Sequence, residues 1–321
     1  MSATRKIVVL GTGGTIAGVG NAQDAGVGYQ AGQIAVAQLL QPVLQSGALG
    51  DVGFEMEQVA QLDSKDMDAA TWQQLAAACQ QWLGREDVSA VVITHGTDTL
   101  EETAWFLQSV LQPAKPVVMT CAMRPATALS ADGPANLRDA AVAASQATPG
   151  VWVVAAGAMH SAKWVRKVHP YRVDAFSSDA HGALAWVEER RLRWAYQPLQ
   201  PATRPGKPLL QAVLSVPPSK WPWVEIVYST AAARAAAVDA LAAAGVEGLV
   251  VATTGNGSIH KDMLPALQRA GGLGIPIWRV TRCEQGQIVL ADHAVDAAVS
   301  ELSACKARIS LMLKLLERAH Q

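Results

Sequence analysis

Two threonine-bearing loops hold the residues best placed to do chemistry. They are Gly11-Thr12-Gly13-Gly14-Thr15-Ile16-Ala17-Gly18 and Thr94-His95-Gly96-Thr97-Asp98-Thr99. Each follows a run that reads as a buried strand, Lys6-Ile7-Val8-Val9-Leu10 and Val91-Val92-Ile93. Loops after the carboxyl ends of strands line the ligand crevice of an open parallel α/β sheet. Two hydroxyls delivered there, one beside a carboxylate, point to nucleophilic chemistry. A threonine hydroxyl is a weak nucleophile until something removes its proton. The seven histidines show no local triad pattern, and His95 reads as a structural residue with no catalytic role. A lysine shielded from water beside an aspartate can act as the base. The region 161–176 offers Lys163 and Lys167, and the residues alone do not choose between them. Where Thr97 and Asp98 pass from strand into helix, open backbone N–H groups can stabilise an anion.

Other chemistries fail on pattern. Gly11 and Gly13 begin a dinucleotide fingerprint, but Ile16 stands at its third glycine and a Gly-rich segment follows where a helix is required. No Gly-Lys-Ser/Thr completes a phosphate loop. Cys79, Cys121, Cys283 and Cys305 are scattered with no C-x-x-C pair, which excludes zinc-ribbon and thioredoxin readings. Cys79 and Cys121 fall in apolar runs and read as small core residues.

The elements that must carry these loops alternate. Apolar strand-like runs read at 5–10, 88–94, 115–120 and 151–157, with helical patterns at 34–46, 68–83, 98–111 and 132–146. Asp98 and Thr99, followed by Glu101 and Glu102, read as a capping box opening the third helix. The rhythm predicts an α/β fold: a larger N-terminal parallel-sheet domain over 1–190 with helices on both faces, a linker over 191–210 with Pro198, Pro201, Pro205 and Pro208, and a smaller C-terminal α/β domain over 211–321. In the latter, strands are expected at 223–228, 247–253 and 275–280, and helices at 231–244, near 261–270 and at 303–319. The last carries the stripe Ile309, Met312, Leu313 and Leu316, which reads as a packing face. The segment 17–32, with Gly18, Gly20, Gly26, Gly28 and Gly32 around Asn21 and Asp24, reads as a mobile loop able to close over substrate, and Tyr29 is its only large side chain.

Bulk properties bound the partners. Of 321 residues, 50% are hydrophobic and 17% charged, with a formal net charge of -1, so the chain is globular and carries no basic stripe for nucleic acid. The apolar stretch after Arg5-Lys6 is too short for a signal peptide or a membrane span. A cytoplasmic location and no membrane partner are expected.

With these residues in place, the chain resembles the bacterial-type L-asparaginase family over roughly its whole length. The resemblance rests on the two ordered loops, on Ala122-Met123-Arg124-Pro125 with Ser130-Ala131-Asp132-Gly133-Pro134-Ala135-Asn136-Leu137, and on Gly255-Asn256-Gly257. It implies hydrolysis of L-asparagine to L-aspartate and ammonia through a threonine acyl-enzyme, with no metal or organic cofactor. Thr15 resembles the nucleophile and Tyr29 the loop tyrosine bonded to it. Thr97, Asp98 and Lys167 resemble the group that assists proton transfer and water attack; Lys167 is preferred to Lys163 because Phe176 follows it at the family's spacing. Ser64 resembles the serine holding the substrate α-carboxylate, Asp98 the residue holding the α-ammonium, and Ala122 a contributor of its backbone carbonyl. Gly96 and Lys65 complete the substrate-binding set. Asn256 resembles a residue reaching a neighbouring subunit's site, which implies a homotetramer of intimate dimers.

Lys65 stands where relatives carry Gln, Glu or Ser near the substrate ammonium. Like charges about 4 Å apart repel by ~1 to 4 kcal/mol. Lys65 therefore either swings outward or marks another amide, such as glutamine. A non-catalytic amino-acid-binding protein that keeps the cleft is the remaining alternative.

Overall fold

Near-continuous runs of Val, Ile and Leu form strands covered on both faces, and these build the centre of the larger unit. The structure, a computed structural model, describes residues 5–20, 28–47, 50, 52–196, 208–290 and 298–320. The chain divides into two compact units, Met1–Leu210 and Gln211–Gln321.

The first unit holds, in order, β1 (Lys6–Gly13), β2 (Val19–Gly20), β3 (Tyr29–Gln30), α1 (Val36–Gln45), β4 (Gly53–Leu62), α2 (Ala69–Leu83), β5 (Val88–Thr94), α3 (Leu100–Leu111), β6 (Pro116–Thr120), α4 (Gly133–Gln146), β7 (Gly150–Ala155), β8 (Ala158–Ser161), β9 (Arg166–Lys167), β10 (Phe176–Ser177), β11 (Ala185–Glu188) and β12 (Arg191–Trp194). Its eight-stranded sheet runs β12-β11-β8-β7-β6-β5-β1-β4. Strands β4, β1, β5, β6 and β7 are parallel, and β8, β11 and β12 extend the sheet antiparallel.

The four strands and four helices expected here are present within a few residues. Strand β4 carries no apolar run because it is an edge strand whose burial alternates, with Glu55, Glu57 and Gln58 interrupting the pattern. The antiparallel extension is likewise short and charged. Its last strand, β12, occupies 191–194, so the stretch expected to be linker begins as part of the sheet. The proline-rich middle, 197–207, lies outside the described residues.

In the second unit, α5 (Pro208–Ser215) spans the division. Strands β13 (Val224–Tyr228), β14 (Gly248–Thr253), β15 (Ile277–Thr281) and β16 (Ala298–Val299) form one parallel sheet. Helices α6 (Ala236–Ala243) and α7 (Leu264–Gly272) pack on it, and α8 (Ala304–His320) buries Ile309, Met312, Leu313 and Leu316 against it, as the stripe predicts. Helix α6 starts later than expected because Ala232 takes a left-handed conformation, φ 57°, that a helix cannot continue through.

Candidate active site

Strands β1 and β5 are neighbours, with Gly11 opposite Thr94, so their loops leave the sheet side by side. The first turns through Gly13 (φ 97°) and Gly14 (φ 79°), a conformation open to glycine, and then enters a single 3₁₀ turn, Thr15–Ala17. A Cβ on Gly14 would collide with the backbone of Gly96. A Cβ on Gly96 would lie 2.5 Å from Ser64 Oγ and 3.1 Å from Gly14 Cα. The loops after β1 and β5 therefore meet through bare backbone, and the loop after β4 packs the Ser64 side chain against Gly96. That contact gathers Thr15, Ser64 and Thr97, each at most 6% exposed.

Two hydroxyl groups acquire partners. Thr15 Oγ1 and Tyr29 OH lie 2.6 Å apart. Tyr29 comes from the antiparallel ribbon of β2 and β3, where it faces Gly20, and its ring crosses Gly18 so closely that a Cβ there would sit 2.8 Å from Cδ2. The Gly-rich segment is thus paired at both ends; Asn21, Asp24 and Gly26 lie outside the described residues. Lys167 Nζ donates to Thr97 Oγ1 at 2.9 Å and to Asp98 Oδ1 at 2.5 Å. Its side chain is 16% exposed, against 54% for Asp98. Lys163, the other lysine of the region, lies over the Trp164 ring at 4.4 Å.

The start of α3 is not a capping box. Thr99 caps it without a side-chain cap bond; its hydroxyl donates to Ser64 O at 2.7 Å. Glu101 instead accepts the backbone N–H of Lys167 at 2.6 Å. Asp98 N–H donates to Ser64 Oγ at 3.1 Å, which leaves the serine's own proton available to an anion. Lys65 is exposed and its ammonium is clasped by Asp66 at 2.8 Å and Asp63 at 3.1 Å. Those two carboxylates, Asp66 foremost, raise its pKa. Ala122 packs beside Ile16 and Ala17, next to Thr15. Asn256 belongs to the second unit, where it is exposed and its carboxamide bonds Val289 twice: Nδ2 donates to Val289 O at 2.9 Å, and Oδ1 accepts Val289 N–H at 2.6 Å.

His95 is buried, with Nδ1 bonded to Gly96 O at 2.7 Å and its pKa lowered to about 4 by desolvation, a neutral structural residue. Burial pushes the Cys121 thiol up, which removes it as a nucleophile. Among the described residues, no group of three or more His, Cys, Asp or Glu side chains is gathered to hold a metal ion.

The contacts of four residues escape the sequence reading. Asp132 accepts Met123 N–H and Arg124 N–H, and Asn136 donates to Cys121 O, so the two together fix the turn containing Ala122. Thr127 accepts Gly20 N–H at 2.8 Å at the base of the Tyr29 ribbon. Glu101 was visible only as a capping signal; its partner lies 66 residues away.

Comparison with known proteins places the whole chain among relatives. The family model described as Asparaginase, N-terminal, matches residues 6–200, and the Glutaminase/Asparaginase C-terminal domain matches 223–320. The chain is 36% identical to a glutaminase-asparaginase of Pseudomonas fluorescens biotype A, over 96% of this chain and 86% of that protein. It is 35% identical to L-asparaginase 2 of Escherichia coli (strain K12), over 97% and 89%. The solved structure of the probable cytoplasmic L-asparaginase from Campylobacter jejuni superposes with a TM-score of 0.88 at 35% identity, covering 99% of this chain and 98% of that one. Two domain matches spanning most of the chain, joined to these relatives, show that it belongs to the asparaginase family.

Proposed function

We propose that the protein hydrolyses L-asparagine to L-aspartate and ammonia. The observation that supports this reading is the close backbone approach of Gly14 to Gly96, which brings together the loops bearing Thr15 and Thr97, while Lys167 Nζ bonds Thr97. Thr15 Oγ1 attacks the side-chain amide carbon, and the proton it loses is delivered to the departing nitrogen, which leaves as ammonia. The resulting ester is attacked by water, and the Thr97–Lys167–Asp98 group handles that water's proton, restoring the Thr15 hydroxyl. Ser64 and Gly96 hold the substrate α-carboxylate, Asp98 the α-ammonium, and the Ala122 carbonyl faces the amide. The names of the relatives, L-asparaginase and glutaminase-asparaginase, support the reaction class.

The Lys65 clasp favours asparagine over an amide lacking the α-amino group, because Asp63 and Asp66 already compensate the lysine's charge. Glutamine is the second substrate, supported by the glutaminase-asparaginase relatives. Thr15→Ala abolishes ammonia release from asparagine while the circular dichroism spectrum persists; turnover at the wild-type rate by that variant removes Thr15 from the mechanism. Comparing kcat/KM for asparagine, glutamine and N-acetylasparagine ranks the amides.

The working form is a homotetramer located in the cytoplasm. The resemblance to a chain described as cytoplasmic supports the compartment, and no helix among the described residues is long and apolar enough to cross a membrane. Light scattering giving the mass of one chain, or fractionation with a periplasmic marker, overturns the respective statement.

A further inference from the structure

This inference rests on the reading above, in which Lys167 handles a proton. Strand β9 has two residues, and β10 pairs with it along one edge, with Lys167 opposite Phe176. So short a ribbon does not fix a side chain by itself. The next amide, Val168 N–H, donates back across the hairpin to Ala175 O at 2.8 Å, whereas Lys167 N–H donates to Glu101 Oε2 at 2.6 Å. Glu101 thus supplies the acceptor that a missing neighbouring strand would provide. Its carboxylate stands in the first turn of α3, where the helix amino end favours negative charge. Helix α3 is held from behind: Trp72 Nε1 donates to Thr103 Oγ1 at 2.9 Å, and the Trp72 ring stacks on Phe106 at 4.8 Å. The start of α3 and the loop before it therefore grip one lysine twice, with Glu101 on its backbone and Thr97 and Asp98 on its Nζ.

The geometry points to Glu101 as a positioning residue that sets where the Lys167 amine stands against Thr97, acting through the backbone of Lys167. Glu101→Ala removes the acceptor, whereas Glu101→Gln keeps an oxygen that accepts the same N–H. The expected result for Glu101→Ala is a fall in kcat of about 10- to 100-fold with KM held within about threefold. Glu101→Gln returns kcat to within about threefold of wild type. Hydrogen exchange at the Lys167 amide speeds up at least about tenfold in Glu101→Ala and stays slow in Glu101→Gln. Should the alanine variant not fold, Glu101→Asp, one methylene too short to reach, replaces it with the same expectation. Unchanged kcat in the truncated variant, equal loss in Glu101→Gln, or unaltered amide exchange overturns the proposal. The exchange measurement needs no substrate, so wild-type protein that releases no ammonia from asparagine defeats the functional reading alone and leaves the Glu101 contact to be decided by the amide.

Discussion

Glycine does its work at this site by leaving room. Gly96 has an ordinary backbone conformation, so alanine there meets no torsional penalty; its cost is the collision of a new Cβ with Ser64 Oγ at 2.5 Å and Ser64 Cβ at 2.7 Å. Gly14 combines a positive φ with backbone directly in the way. Gly96→Ala therefore destabilises by about 1–3 kcal/mol as overpacking. Its larger effect is on activity: forcing Ser64 and Thr97 apart lowers kcat/KM by roughly 100-fold. Urea titration and steady-state kinetics on one preparation separate the two numbers. A variant with normal kcat/KM would mean that the close approach is not what aligns the loops. Gly14→Ala is expected to be the more damaging change, because strain in the left-handed region adds to the collision.

At the scale of elements, the parallel strands that carry Thr15 and Thr97 were legible because they are buried on both faces and read as unbroken Val and Ile runs. Strand β4, which delivers Ser64, was not, because an edge strand mixes Glu and Gln with apolar residues. The pairing of Thr15 with Tyr29 followed from resemblance, since no local pattern encodes a bond across a loop. Glu101 shows the limit most clearly: one carboxylate in the first turn of a helix has the same sequence signature whether it caps its own helix or grips a strand far along the chain. The ribbon carrying Tyr29 presents a comparable long-range tie, with Gly20 N–H on Thr127 Oγ1 and Ala126 N–H on Gly18 O at 3.0 Å. Thr127→Val keeps the shape and removes one acceptor, a loss of about 1 kcal/mol. The expected outcome is a kcat/KM about fivefold lower with Thr127→Ser restoring it, since a looser ribbon holds Tyr29 less often against Thr15. Equal kinetics for the valine and serine variants would break that link.

The whole molecule carries its acid sensitivity in two layers. Outside, at the start of β1, Lys6 and Arg85 pair with Glu55 and Asp87. Hydrogen bonds from Lys6 to Glu55 and from Arg85 to Asp87 lead in lowering the pKa of each carboxylate. Stability from these depressed groups is present above their unfolded values, about 4, and fades only as pH drops below that. Inside, His95 and His160 are at most 4% exposed, and burial lowers both to about 4. The unfolded chain protonates its histidines near 6.5 while these two stay neutral, so their contribution is complete above about pH 6.5 and is lost between there and about 4. Each takes up to one proton on unfolding in that window, a slope of about 1.4 kcal/mol per pH unit and of order 3 kcal/mol for each ring. Asp139, raised chiefly by burial, opposes them just above its ordinary value, because its native form holds a proton that the unfolded chain releases. The expected result is an unfolding free energy from urea titration that is flat from pH 8 to 7 and falls below 6.5 with the uptake of between about one and two protons. His160→Gln, which removes the ring paired with Ser178 Oγ at 3.0 Å, reduces that uptake by roughly one. A free energy unchanged from pH 7 to 5 in the parent protein would mean that both imidazoles titrate in the native state as they do in the unfolded chain, and that neither is held dry.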